Sequence, residues 1–173
     1  MERGLIHIYC GDGKGKTTAA IGLAVRAAGR GEKVLISPFL KTEDSGGVAV
    51  LGSIPGITVL PCERTFGFLF RMSPEEKREA AEYFQGQFAR TAAMAPEYDL
   101  VIFDEIMASV NGGVVSQESV LDFLDGKPES LEVVLTGRDP SEAIQERADY
   151  ISQIQAVRHP YEQGIGAREG IEY

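Results

Sequence analysis

The chain has 173 residues, of which 43% are apolar, and its 17 basic and 26 acidic side chains give a net charge of −9. These values are typical of one globular domain (1–173) with a sizeable core, and the negative balance argues against a nucleic-acid binder. Cys10 and Cys62 are too few for a disulfide framework, and the sequence shows neither a signal pattern nor an apolar run of about 20 residues. We therefore expect a cytoplasmic protein that does not enter a membrane.

Apolar runs alternate with amphipathic segments along the chain, and this alternation predicts an α/β fold. The six predicted strands cover residues 5–9, 34–39, 57–60, 100–103, 132–136 and 150–157. Helices are predicted for 16–30, 74–94, 117–124 and from the segment 139–142 onward. Ser73, Pro74 and Glu76 form a capping box that begins the longest helix. Because every strand is reached by a crossover, we expect an open, mainly parallel sheet with helices on both faces.

A loop rich in glycine and lysine joins the first strand to the first helix. Glycines in this loop allow a tight turn whose N–H groups point at an anion, and the following helix adds the positive end of its dipole. Lys16 can reach the outer phosphates of a nucleotide, and Thr17 can offer its hydroxyl to Mg²⁺. The pattern is G-x-x-x-x-G-K-[ST], except that Cys10 stands at the first glycine. The sequence thus predicts a phosphate-binding loop on a P-loop NTPase-like sheet.

Charged residues follow two later strands. Asp104 and Glu105 come after the run 100–103, where the carboxyl ends of parallel strands line the ligand crevice. One of the two is expected to face the ligand and hold Mg²⁺, because successive strand residues point in opposite directions. Arg138 follows the strand 132–136 and either contacts a phosphate or is an exposed turn residue. Arg26, on the first helix, either reaches the nucleotide or pairs with an acid.

Two irregular stretches are also notable. The segment 41–55 is polar, contains glycine and is predicted to be able to move. The segment 61–72 contains Phe66, Phe68 and Phe70, which form either a wall for a large flat ligand or part of the core. From the residues alone, the chain is either an enzyme acting on ATP or GTP or a nucleotide-operated binding module.

The run G-D-G-K-G-K-T-T-A-A at 11–20 closely resembles the G-N-G-K-G-K-T-T-A-A signature of the ATP:corrinoid adenosyltransferases of the CobA/CobO/BtuR type. Further similarity lies at 22, 26–27, 29, 39–41, 104–105, 135–138, 148–149, 157–161, 163–165, 167–168 and 170–173, so it covers nearly the whole chain. The resemblance implies transfer of the 5′-deoxyadenosyl group of ATP to the cobalt of a reduced (cob(I)) corrinoid, with release of triphosphate, in adenosylcobalamin biosynthesis or salvage. The alternatives are a small ATPase or kinase and a non-catalytic ATP- or corrinoid-binding protein.

The resemblance also implies site residues. The ATP-binding set is Gly11, Asp12, Gly13, Lys14, Gly15, Lys16, Thr17, Thr18, Arg26 and Arg138, with Lys16 and Thr17 as the catalytic pair. Thr17 with Glu105 or Asp104 would hold Mg²⁺. Asp12 replaces the family's common asparagine and either points outward or pairs with a lysine.

The expected corrinoid-binding residues are Phe66, Phe68 and Phe70. They occupy the stretch where better-known members carry a phenylalanine–tryptophan pair, and this chain has no tryptophan. The resemblance further implies a homodimer and, as a candidate reductant, a flavoprotein.

Overall fold

One parallel sheet organises the protein. The computed structural model describes residues 3–40, 50–67 and 69–171, with only the backbone of Phe70. The strands are β1 Ile6–Cys10, β2 Val34–Pro38, β3 Ile57–Val59, β4 Leu100–Asp104, β5 Glu132–Thr136 and β6 Tyr150–Gln153. Their order is β3-β2-β4-β5-β1-β6, and every neighbouring pair is parallel. The predicted six-stranded parallel sheet is confirmed.

The helices follow the predicted order, with one addition. They are α1 Lys16–Ala28, α2 Pro74–Met94, α3 Ile106–Asn111, α4 Gln117–Gly126 and α5 Glu142–Gln145. The predicted capping box is confirmed, since the Ser73 amide donates to Glu76 Oε2 at 2.7 Å and the Glu76 amide donates to Ser73 Oγ at 3.2 Å. Sequence analysis did not predict α3, which starts directly after β4. Its N-cap is Glu105, which adopts a left-handed conformation at φ 61°. Because glutamate is not one of the usual N-cap residues, the start of this helix was not recognisable from the sequence.

Helices cover both faces of the sheet, as predicted. On one face, Ala20 and Ala24 of α1 pack against a group that includes Val34, Ile36 and Ile102. The opposite face carries the larger cluster, in which α2 to α5 contribute Phe84, Phe88, Ile106, Met107, Val120, Leu124 and Ile144. Since the side chains of a strand alternate between faces, Ile102 and Asp104 share the α1 face, whereas Phe103 points the other way. This alternation positions the residues of the site.

The last strand is shorter than predicted, because β6 ends at Gln153 rather than at 157. Beyond it the chain turns over the loop that follows β1. The Ile154 amide donates to the Cys10 carbonyl at 2.8 Å, and the Gly13 amide donates to the Ile154 carbonyl at 2.8 Å. The final residues of the predicted strand therefore cover the loop instead of extending the sheet.

The predicted polar stretch at 41–55 lies partly outside the described residues, and within it residues 50–52 form a helical turn. In the aromatic stretch at 61–72, the residues that the structure describes are irregular, as predicted, apart from a 3₁₀ turn at Leu69–Arg71. Across the described part of the chain, no helix combines the length and the apolar character that crossing a membrane requires.

Candidate functional site

The loop between β1 and α1 depends on glycine at two positions in particular. Gly11 has φ 103° and Gly15 has φ 119°, values that residues with a side chain rarely adopt. A Cβ at Gly11 would also lie 2.3 Å from the Ile154 carbonyl oxygen, which is a clash with backbone. Gly15 is the residue that caps α1, so the loop leads directly into the positive end of a helix of 13 residues. The local geometry is that of a phosphate-binding loop.

Lys16 lies inside this loop. Its side chain is only 8% exposed, and its ammonium donates a hydrogen bond to the Gly13 carbonyl at 2.8 Å. An anion bound by the loop amides would meet this charge at close range, where a buried cation is most effective. The lysine of the motif therefore lies within the loop, with its ammonium beside the loop backbone.

Three residues from separate elements meet beside the lysine. The Thr17 hydroxyl donates to Asp104 Oδ1 at 2.8 Å, and the Thr136 hydroxyl donates to the same oxygen at 2.7 Å. The Glu105 amide in turn donates to Thr136 Oγ1 at 2.8 Å. Asp104 is 4% exposed, so its carboxylate is held by these contacts at the end of β4. A threonine hydroxyl and a carboxylate are oxygen donors that suit Mg²⁺.

The two acids that follow β4 lie in different positions. Asp104 points to the α1 face and contacts Thr17, whereas Glu105 begins the next helix at φ 61°. Thr136, the third member of the cluster, was not predicted as a site residue. A hydroxyl at the end of an apolar strand that neighbours both β1 and β4 was the signal that could have identified it.

Asp12 and Arg138 lie at the rim of the loop. Asp12 Oδ1 accepts a hydrogen bond from the Ala156 amide at 3.1 Å, and this bond lowers the pKa of the Asp12 carboxyl below its ordinary value. Arg138 donates through Nη2 to the backbone carbonyl of Asp12 at 3.4 Å. The Asp12 side chain is exposed, and its carboxylate is turned toward the segment after β6, an arrangement that sequence analysis did not predict. Arg138 is thus close to the loop, and its contact with a phosphate stays a prediction.

The other predicted residues are less closely grouped. Lys14 and Thr18 are exposed, the first on the loop and the second on α1. Arg26 lies ten residues along α1 from Lys16, about 15 Å at the rise of an α-helix, and is exposed. Its assignment to the nucleotide therefore rests on the sequence alone. Cys10 is buried at the end of β1, and burial raises the pKa of its thiol, which is then protonated at neutral pH.

Phe66 is half-buried between the core and a cavity. Its ring centroid lies 5.5 Å from that of Tyr83 and 5.4 Å from that of Phe84, and the Arg64 guanidinium lies 4.9 Å from its centroid. The cavity has a volume of about 500 Å³ and is lined by Arg64, Thr65, Phe66, Gly67, Arg71, Met72, Glu76 and Glu79. Phe66 thus packs against the core and also forms part of a cavity wall, the two options considered from the sequence. Phe68 and the side chain of Phe70 lie outside the described residues.

The fold and the loop define a P-loop nucleotide-binding protein. Two solved structures share this fold: a KaiC-like protein from Pyrococcus horikoshii (TM-score 0.55, 15% identity, 88% of this chain and 73% of that one) and the cytoplasmic domain of a type VII secretion ATPase from Thermomonospora curvata (TM-score 0.52, 15% identity, 94% of this chain and 21% of that one). At this identity the likeness concerns the fold alone.

Sequence comparison identifies the family. The model for the ATP:corrinoid adenosyltransferases BtuR/CobO/CobP matches residues 2–173. The corrinoid adenosyltransferase of Escherichia coli K12 is 34% identical over 172 residues, covering 99% of this chain and 87% of that protein. CobA of Salmonella typhimurium LT2 is 33% identical over 172 residues, covering 99% of this chain and 87% of that protein. The corrinoid adenosyltransferase of Pseudomonas aeruginosa is 29% identical over 177 residues, covering 99% of this chain and 85% of that protein. The chain belongs to the ATP:corrinoid adenosyltransferase family.

Proposed function

We propose that this protein transfers the 5′-deoxyadenosyl group of ATP to the cobalt of a reduced corrinoid and releases triphosphate. In this reaction the cob(I) centre of the substrate attacks C5′ of the ribose, the new Co–C bond forms, and the C5′–O bond breaks with its electron pair leaving on triphosphate. The observation that carries the proposal is the family match across 2–173, joined to a phosphate loop whose lysine is buried inside it.

The reaction requires little acid–base catalysis by the protein, because the nucleophile is a metal centre and the leaving group is already an anion. The protein must hold triphosphate, offset its charge and aim C5′ at cobalt. In our proposal the amides of Gly11 to Thr18 hold the phosphates, and Lys16 neutralises the charge that develops on the leaving group. Lys14 and Arg138 add positive charge at the rim.

Mg²⁺ bound with ATP would be held by Thr17 Oγ1 and by Asp104, directly or through water, and would supply further charge neutralisation. The 2.8 Å contact between these two groups supports that pairing over one with Glu105. In the described part of the chain, no cluster of three or more His, Cys, Asp or Glu side chains could hold a metal ion. The donor set therefore fits an ion that arrives with its nucleotide and takes phosphate and water oxygens as its other ligands.

The aromatic cavity is proposed as part of the corrinoid site, with Phe66 on its wall and Phe68 and Phe70 in the same segment. A half-buried ring that packs on Tyr83 and Phe84 is a firm surface for a flat macrocycle. We also propose a cytoplasmic homodimer of a single domain, whose corrinoid substrate is reduced to cob(I) by a flavoprotein.

The direct test is to mix the protein with Mg-ATP and chemically reduced cob(I)alamin without oxygen and to follow the corrinoid spectrum. We expect a light-sensitive adenosylated corrinoid. Parallel reactions with cobinamide and cobyrinic acid a,c-diamide identify the preferred acceptor. Binding of ATP without adenosylation of any of the three would contradict the proposal.

A further inference from the structure

Charged residues line the aromatic cavity around Phe66, and the reaction proposed above assigns them no role. They are two arginines and two glutamates: Arg64, Arg71, Glu76 and Glu79. Charged groups on the wall of a cavity usually decide which of several similar ligands it accepts. The property of a ligand that such residues distinguish best is its charge.

The Arg64 side chain lies over the face of the Phe66 ring, with its guanidinium carbon 4.9 Å from the ring centroid. Its Nη2 donates to Glu79 Oε2 on α2 at 3.1 Å. The two charged side chains are 54% and 52% exposed. Water and salt screen an ion pair this exposed, so it contributes little to stability and is easily exchanged. A carboxylate brought by a ligand can therefore take the place of Glu79.

The backbone on either side of this arginine is anchored, so only its side chain has to move. The Glu63 amide donates to Tyr83 Oη at 2.9 Å, and the Cys62 thiol donates to the Arg64 carbonyl at 3.6 Å. A macrocycle that stacks on the covered face of Phe66 takes the place of the guanidinium. The long side chain can then reach the rim of the bound ligand while its backbone stays in place.

Only one of the two glutamates competes for this arginine. Glu76 Oε2 accepts from the Ser73 amide at 2.7 Å, and this bond lowers the pKa of the Glu76 carboxyl and holds the carboxylate at the start of α2. Glu79 is the acid that contacts Arg64. When Arg64 turns to a ligand, the charge of Glu79 repels an acidic ligand and attracts the arginine back.

The acceptors of the proposed reaction differ in the charge at their rim. Cobyrinic acid a,c-diamide keeps carboxylates at the ends of side chains that cobinamide carries as uncharged amides. Arginine binds a carboxylate through two parallel N–H donors and stays protonated at every physiological pH, whereas an amide offers it one neutral oxygen. The displaced arginine therefore favours the acidic acceptor.

We propose that Arg64 is a specificity-determining residue that selects corrinoids with free carboxylate side chains, by exchanging Glu79 for a carboxylate of the ligand. Glu79 limits the strength of this preference. The inference rests on the proposed function for the corrinoid as ligand.

The experiment measures by calorimetry, without oxygen and with Mg-ATP present, the affinities of the cob(II) forms of cobyrinic acid a,c-diamide and of cobinamide. Arg64 and Glu79 are both exposed, so Arg64→Gln and Glu79→Gln should fold normally. We expect Arg64→Gln to weaken binding of the acidic corrinoid about fivefold, as for loss of one exposed ionic contact. Glu79→Gln should strengthen it about threefold, because the competing charge is removed. Binding of cobinamide should stay within about twofold in both variants.

Arg78→Gln and Glu75→Gln are the matched controls. They make the same changes of charge in an exposed ion pair on α2, at 3.8 Å, whose residues do not line the cavity. Both should bind the two corrinoids like the wild type.

The opposite signs for Arg64→Gln and Glu79→Gln exclude a merely structural ion pair, which both changes would weaken alike. Shifts in the same direction, or equal shifts for the acidic and the amidated corrinoid, would overturn the inference. Turnover of the wild type separates the two proposals. If it adenosylates a corrinoid while the variants show no change in preference, only the role of Arg64 is wrong. If the variants shift as expected but no acceptor is adenosylated, the proposed function is wrong.

Discussion

The phosphate loop and the aromatic stretch at 61–72 are held in place by different means. The backbone conformation holds the loop in place, with Gly11 and Gly15 at φ values of 103° and 119°. Hydrogen bonds between backbone groups also join the loop to the segment after β6. The aromatic stretch is fixed by side chains, because Phe66 packs on Tyr83 and Phe84 while much of the surrounding backbone is irregular. Backbone amides suit a phosphate chain, which is the same in every nucleotide. Ring packing can vary with the shape of the second substrate.

The strongest test of the loop half of this comparison is Lys16→Ala. Loss of a buried, charge-assisted contact should weaken ATP binding about 100-fold or more, as measured by calorimetry. Lys33→Ala, which removes an exposed lysine directly before β2, should leave ATP affinity unchanged. Unaltered ATP affinity in Lys16→Ala would mean that the nucleotide does not bind at this loop.

The variants Asp104→Asn and Glu105→Gln test which of the two acids after β4 contributes to Mg²⁺ binding. Asparagine keeps an oxygen that can accept from Thr17 and Thr136 but removes the charge, so ATP binding should lose most of its dependence on Mg²⁺. We expect about tenfold weaker Mg-ATP binding for this variant, from the loss of one ionic contact to the metal. Glu105→Gln should behave like the wild type. A reversed order, with Glu105→Gln the more sensitive to Mg²⁺, would assign the metal to Glu105.

Phe66→Ala tests the aromatic half. Removal of the ring should raise the KM for the corrinoid about fivefold and leave ATP affinity within twofold, since the ring lies outside the loop. Loss of packing on Tyr83 and Phe84 should also lower stability by about 1–2 kcal/mol, as measured by denaturant unfolding.

Phe123→Leu is the matched control, because Phe123 packs in the core rings with Phe88 and Phe103 and does not line the aromatic cavity. It should lower stability without changing the corrinoid KM. If Phe66→Ala weakened the binding of ATP and of the corrinoid equally, the role of this ring would be structural.

The smallest expected effect concerns pH. The bond from the Ala156 amide lowers the pKa of Asp12 below its ordinary value of 3.8, so the folded state favours the carboxylate. The stabilisation is present above the ordinary pKa and is lost as pH falls through the lowered value. The Tm difference between the wild type and Asp12→Asn should therefore be constant near neutral pH and change below about pH 4. A difference that stays constant through this acidic range would contradict the assignment.

The parts of the molecule that local sequence determines were predictable. Alternating apolar runs predicted the parallel sheet, and the capping box at Ser73 predicted the start of α2 at Pro74. The phosphate loop was recognisable because its strand, glycines and helix are contiguous in sequence.

Features that depend on distant partners were not predictable in the same way. The bond between Asp12 and Ala156 joins residues 144 positions apart, and that between Thr136 and Asp104 joins residues 32 positions apart. The sequence placed Asp104 and Glu105 together at the end of β4, but the contact of Asp104 with Thr17, 87 positions away, could not be read from it. The early end of β6 has the same origin, because the chain leaves the sheet to bond with the loop.

The measurement that tests the central claim most directly is a count of phosphorus products per cobalt adenosylated. The reaction would be run without oxygen with Mg-ATP and cob(I) corrinoid, and its products separated by ion-exchange chromatography. Our account predicts one triphosphate for each adenosylated corrinoid and no ADP. ADP and phosphate in place of triphosphate would show that the loop breaks a phosphoanhydride bond, and the assignment as an adenosyltransferase would be wrong.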